Sequence, residues 1–381
     1  MYRLTDEQQE IVQRIGKLAD EAIAPAAADV DKEARFPRAS MDALGQAGFL
    51  GLTIPSDLGG MGQSMRTAAA AIDEVAQRCG STAMVYTMHL CGVNCYLADP
   101  DKFASELRTS AEGGHLSTLA FSEKGSRSQF WAPVSKAEAS GDGFTLSAEK
   151  SWVTSAGEAD GIVASSGSSD GSGASVWLVR KDDPGLSISG GWESLGMRGN
   201  QSNPMTLENV ALDAGRLIGE DGKGADIMLG RALPMFLTCQ AAIAVGFSEA
   251  SFLAAQKHIT GTGFQHTGTK LSDLPNQRAR LAQIRIDADA ARAHLSAALD
   301  KVEGGAADAT LHLLAAKACS TEAAVRATDI AMRACGGAAF SKHLGLERVF
   351  RDARASIVMA PTTDHLHEFI GRLLCGMDLF G

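Results

Sequence analysis

Leu281, Ile284, Ala288, Ala291, Leu295, Ala298 and Val302 follow one another at alternating spacings of three and four. That spacing sets all seven on one stripe of an α-helix, and only packing along the whole stripe removes it from water. A helix of this kind needs partners of matching length, so the C-terminal part of the chain is constrained to a helical bundle. A second long helix is predicted through "ATLHLLAAKACSTEAAVRATDIAMRA", stopped by Gly336-Gly337, because glycine takes the backbone conformation that ends a helix.

The texture upstream differs. Residues 1–116 read as helical: Thr5 and Gln8 form a capping box, and Ile11, Ile15, Leu18 and Ala22 follow at helical spacing. Between 117 and 224 the runs shorten and turn signals multiply. Phe144, Leu146 and Ala148 alternate after Gly-Asp-Gly, and "ASVWLVRKDDPGLSIS" reads as a strand stopped by Asp-Asp-Pro-Gly. "SSGSSDGSGAS" reads as an exposed hairpin tip, since strands resume directly after it. The predicted architecture is mainly α with a central β domain: a helical domain (1–116), a β-barrel-like domain (117–224) and a four-helix-type bundle (225–381).

Composition excludes several classes. The formal charge of -10, with scattered Lys and Arg, supplies no field for nucleic acid or anionic lipid. Seven cysteines without a C-x-x-C pair read as reduced thiols of a cytoplasmic protein. No run reaches the apolar length of a membrane span by inspection, and the N-terminus has no signal-peptide pattern. No dinucleotide fingerprint, Walker loop, HExxH or GxSxG is present; "GTGFQH" at 261–266 lacks both the final glycine and the strand-turn-helix context.

The densest polar stretch is "VMAPTTDHLHEFIGR" (358–372), a loop entering a final amphipathic helix. Thr362, Thr363 and Asp364 are helix-start residues. His365 and His367 stand two apart, on different faces of such a helix, which argues against a metal pair with Asp364.

The strings "SEKGSRS" (122–128), "WVTSAGEAD" (152–160), "GLSISGGWESLGMRGNQSNPMTLENVAL" (185–212), "LIGEDGKGADIM" (217–228), "RACGGAAF" (333–340) and "GLERVFRDARA" (345–355), in this order and spacing, resemble the acyl-CoA dehydrogenase superfamily over almost the whole chain. The resemblance implies FAD bound between subunits of a homotetramer or homodimer, an acyl-CoA or acyl-carrier-protein substrate, and an electron-transfer flavoprotein as partner. It implies flavin contacts from Phe121, Ser122, Ser128, Trp152 and Thr154 of the β domain. Gly336 and Gly337 are implied where a neighbouring subunit approaches the flavin diphosphate, with Thr362 and Asp364 near the cofactor. Arg333 stands where the family has glutamine, and the family's Arg-x-x-Phe-Gly is missing from 257–270, so Arg333 or Lys257 is expected to supply the cation.

The same comparison exposes a gap. Counting from "RDAR", Ala360 occupies the position of the family's base, a glutamate that removes the acyl α-proton; at the alternative glutamate position on the first bundle helix stands Phe236. Asp364, His365 and His89 are the candidates for a replacement base, although helix capping for Asp364 and a core role for His89 are the favoured alternatives. The leading expectation is dehydrogenation of an acyl thioester with a non-standard base; the alternatives are flavin-dependent monooxygenation on the same fold and non-catalytic binding of flavin or thioester.

Overall fold

The computed structural model describes residues 2–127 and 129–380. Six helices come first: α1 (Asp6–Leu18), α2 (Ala27–Glu33), α3 (Arg38–Gln46), α4 (Met65–Ala76), α5 (Gly80–Tyr96) and α6 (Ala104–Ala111). The Thr5–Gln8 capping box starts α1, with Ile11 and Ile15 buried behind it. Helix α5 has no polar face: all but Asn94 of its residues are buried, so it serves as an internal strut between the other helices and the sheet.

Strands β1 (Ser117–Ala120), β2 (Lys136–Ser140), β3 (Gly143–Val153), β4 (Gly161–Gly167), β5 (Ala174–Arg180), β6 (Leu186–Ile188) and β7 (Asn203–Leu212) form one curled sheet. Its order is β1-β4-β2-β3-β7-β6, with β5 on β4, and β1 runs parallel to β4. The Ser/Gly-rich stretch is the tip joining antiparallel β4 and β5. Leu146, Ala148, Val210 and Leu212 fill the sheet's core around fully buried Trp177.

After a short helix α7 (Gly224–Ile227) the bundle is built from α8 (Leu233–Gly261), α9 (Pro275–Glu303) and α10 (Ala309–Cys335), followed by α11 (Gly337–Phe340), α12 (Leu346–Val358) and α13 (Thr363–Leu374). The stripe on α9 is buried at Ile284, Ala288, Ala291, Leu295 and Ala298. Gly336, at φ +57°, ends α10. One expectation is corrected: the segment Gly224–Gly261 is long and apolar enough to cross a membrane. Most of that apolar surface is covered by the neighbouring helices, because a core helix flanked on several sides needs no polar stripe.

Candidate active site

A cavity of about 550 Å³ opens where the sheet, α5, α8 and α12 meet. Its wall is overwhelmingly apolar, with Met84, Met88, Phe121, Leu233 and Phe236 facing Trp152, Trp192 and Val358. Among the described residues, hydroxyls enter it from strand ends and sheet loops, from Ser122, Ser151, Thr154, Ser194 and Ser202. An apolar cleft with few convergent polar groups is the usual form of a small-molecule site.

Trp152 sits on a register shift between β3 and β7, at φ +59°. A bulge bends the strand and re-aims the side chain, and a non-glycine residue at positive φ holds that conformation only where its surroundings enforce it. The result is an indole 66% exposed at the cavity wall, edge-on to Trp192 at 5.7 Å. Thr154 shares a hydroxyl hydrogen bond with Ser202 (2.9 Å), and Ser202 donates to Asn200 Oδ1 at 3.1 Å.

The loop that follows β1 is anchored by a buried ion pair. Glu123 accepts from Lys150 Nζ at 2.5 Å and from the backbone N–H groups of Val134 and Ser135, while Lys150 also donates to the Ser165 carbonyl. Burial pushes the Glu123 carboxyl up, but Lys150 and Ser135 outweigh it and hold the group below its ordinary value. This pair fixes Phe121 and Ser122 against the cavity. Sequence reading passed over both residues, since nothing in a single chain distinguishes a buried charge from a surface one.

The "RDAR" string acts as a staple. Asp352 accepts from Met197 N–H at 2.5 Å, and Arg351 binds both carboxylate oxygens of Asp31 (2.8 and 2.6 Å) and the Leu195 carbonyl (3.0 Å). These bonds tie α12 to the N-terminal helices and to the loop carrying Trp192. Burial raises the Asp352 carboxyl to about 6. Gly196 has to be glycine here, because a Cβ would meet the Arg351 backbone at 2.4 Å.

The sequence-predicted residues divide sharply. Phe121, Ser122, Trp152 and Thr154 meet at the cavity, whereas Ser128 lies outside the described residues. His89 does not reach it: the ring is fully buried, with Nε2 on the Leu50 carbonyl (2.8 Å) and Nδ1 accepting from Ser117 N–H (3.1 Å). A ring bonded at both nitrogens, to Leu50 and to the first residue of β1, is unavailable as a base. Thr362 caps α13 by accepting from His365 N–H; Asp364 is exposed in the first turn, off the cavity, where a carboxylate complements the helix dipole. The His365 ring stacks on Phe369 at 6.0 Å and stands edge-on to Trp131, away from the cavity wall. His367 is exposed on another face, 3.6 Å from Glu322. Arg333 is mostly solvent-exposed and paired with Asp329 at 2.7 Å. Gly336 and Gly337 are open, with no atom within 4 Å of an added Cβ. Ala360 and Phe236 both line the cavity, so the two positions where a glutamate is expected face it with apolar side chains.

His89 sets a pH limit on stability. Burial lowers its pKa to about 4, from an ordinary value near 6.5. Between those values the unfolded chain binds the proton and the folded one does not, so stability is complete above about pH 6.5 and is lost as pH falls toward 4. The loss amounts to about 3 kcal/mol. Denaturant titrations at pH 7 and pH 4.5 should show His89→Gln losing less stability over this interval than wild type, because contributions common to both, the raised Asp352 carboxyl among them, cancel in the comparison; an equal change in both proteins would refute the assignment.

Comparison with known proteins agrees along the chain. Three consecutive family models match: acyl-CoA dehydrogenase N-terminal domain at residues 5–99, middle domain at 118–210 and C-terminal domain at 222–374. The chain belongs to the acyl-CoA dehydrogenase family, whose members are FAD-dependent oxidoreductases. It is 29% identical to the probable acyl-CoA dehydrogenase YngJ of Bacillus subtilis, over 98% of this chain and 99% of that one. It is 28% identical to the probable acyl-CoA dehydrogenase fadE25 of Mycobacterium leprae, over 98% and 97% respectively. The fold matches that of butyryl-CoA dehydrogenase from Megasphaera elsdenii with a TM-score of 0.92 at 22% identity, covering 98% of this chain and 99% of that one.

Proposed function

We propose that the cavity binds the flavin ring of FAD beside an acyl thioester, carried by CoA or by an acyl-carrier protein, and that the protein removes hydrogen across the α,β-bond of the acyl group. The observation that carries this reading is Trp152, a largely exposed indole held at positive φ on the wall of an apolar cavity. Such a residue fits a flat aromatic ligand that covers it, with the hydroxyls of Ser122, Thr154 and Ser202 at the ligand's polar edge. When bound, FAD supplies the acceptor for the hydride of the acyl β-carbon.

The chain's own residues do the rest. Met84, Met88, Leu233 and Phe236 give the acyl chain an apolar channel and exclude water. The open Gly336-Gly337 turn, next to a Phe340 that is 84% exposed, is the face we assign to a second copy of this chain approaching the cofactor's diphosphate. Arg333 supplies charge there. An electron-transfer flavoprotein is the partner to which the electrons pass. The seven cysteines are all free, which supports a cytoplasmic protein.

One observation favours a second reading. With Ala360 and Phe236 both apolar, the cavity suits a flavin monooxygenase that needs no α-proton base. That enzyme would require an external reductant and would consume oxygen only with its true substrate present.

FAD titration tests the site. Free FAD at 100 times its Kd should stabilise the protein by about 2.7 kcal/mol. Trp152→Ala should lose most of this gain while leaving FAD-free stability nearly unchanged, because the side chain covers little of the core. A variant that binds FAD fully but melts earlier would show Trp152 to be structural instead.

A further inference from the structure

Gln240 lies on α8 one turn beyond Phe236, so the two side chains share a face of that helix. Phe236 lines the cavity, and Gln240 is fully buried just past it. The two are linked through Met84 of α5, which borders the cavity and accepts from Gln240 Nε2 at 3.0 Å. Gln240 Oε1 has no hydrogen-bond partner among the described residues.

A thioether sulfur accepts weakly and donates nothing. Turning the amide over would set Oε1 against that sulfur, so the orientation found is the better satisfied of the two, and it leaves an acceptor free. Nothing in the packing asks for a polar side chain here: Leu237, Ala241, Ile243 and Ala244, its neighbours on α8, are buried and apolar. A leucine or methionine would fill the place without the desolvation cost. A buried polar atom left unpaired in a folded protein is rare enough to call for a partner that arrives later. Met84 is unbranched and turns readily, so its rotation joins the amide to the cavity with no movement of the backbone.

We propose that Gln240 is a specificity-determining residue: with Met84 swung aside, its Oε1 accepts a hydrogen bond from a hydroxyl carried on the acyl chain beyond the α,β-bond. The substrate class is thus a hydroxylated acyl thioester, not a plain hydrocarbon chain. A plain chain leaves the amide unpaired, whereas a hydroxyl that entered this apolar cavity without Gln240 would give up its water and gain no bond in return. The inference deepens the acyl-thioester reading of the cavity and rests on it.

The test uses the FAD-loaded, oxidised protein and 2-enoyl-CoA thioesters of several chain lengths. Each is compared, as the unsubstituted parent, with analogues bearing one hydroxyl at successive carbons beyond the double bond. Binding is read from the perturbation of the flavin spectrum, which needs no turnover. In wild type at least one hydroxylated chain should bind about 10- to 100-fold more tightly than its parent, the span set by pairing an otherwise unsatisfied buried group. In Gln240→Met that preference should disappear, while the parent chain binds as well as before or better. Without ligand, Gln240→Met should melt no lower than wild type, because an unpaired amide is exchanged for an apolar side chain of similar length. Parents that bind wild type as tightly as every hydroxylated analogue overturn the inference and leave the thioester reading standing, and so does a preference that survives in Gln240→Met. A Gln240→Met protein that fails to fold, or melts well below wild type, shows the amide to be a satisfied structural group and overturns it too. FAD-loaded protein that responds to no thioester, hydroxylated or plain, overturns the reading of the cavity itself, and this inference with it.

Discussion

Ala360→Glu combined with Pro361→Gly is expected to speed flavin reduction by a simple saturated acyl-CoA by about 10²- to 10⁴-fold, the usual contribution of a positioned general base. Ala360 borders the cavity directly, and the carbonyls on either side of it are held by Lys317, so a longer side chain at this position starts from a fixed backbone. Changing Pro361 as well frees φ at the next residue and lets the carboxylate settle. Phe236 shares the same wall, which makes Phe236→Glu the natural companion variant. Stopped-flow bleaching of the flavin under anaerobic conditions gives the rate. An unchanged rate in both variants, with thioester still bound, would show that proton removal does not limit the native reaction.

The second large effect is on stability. Lys150→Met should cost about 3–5 kcal/mol, because it leaves the Glu123 carboxylate buried and uncompensated beneath the loop that carries Phe121 and Ser122. Glu123→Gln with Lys150→Met should recover much of that loss, since replacing both charges removes the penalty along with the attraction. Chemical denaturation measures both, and FAD affinity should fall with the single variant, whose loop is no longer pinned. A single variant within about 1 kcal/mol of wild type would mean that water reaches the pair.

The elements legible in the sequence are those whose cause is local. The α9 stripe, the Thr5 cap of α1, the Gly336 stop of α10 and the Thr362 start of α13 each depend on residues a few positions apart, and the structure has all four. Phe121, Ser122, Trp152 and Thr154 were readable as one group because the resemblance marked them, and they meet at the cavity. Lys317 was not readable: a lysine within an alanine-rich helix looks like a solvated face, and its burial arises only when the α12–α13 loop closes over it. The same holds for Asp352 and Arg351, whose partners Met197, Leu195 and Asp31 are more than 150 residues away. For His89 a core role is the favoured alternative to a base, and its two bonds, to Leu50 and Ser117, lie in the core. The 224–261 segment shows the same limit for hydropathy, which cannot tell a helix covered by protein from one covered by lipid.

The central claim, oxidation of an acyl thioester in the Trp152 cavity, is tested most directly by the visible spectrum of the FAD-loaded protein under strict anaerobiosis as saturated acyl-CoA and acyl-carrier-protein thioesters are added. Loss of the oxidised flavin band with at least one thioester, in the absence of any other reductant and without oxygen uptake when air is admitted in the presence of an electron-transfer flavoprotein, is the predicted result. A flavin that stays oxidised across the whole panel, and is reduced only by an external donor before consuming oxygen with substrate, would contradict it and establish the monooxygenase reading in its place.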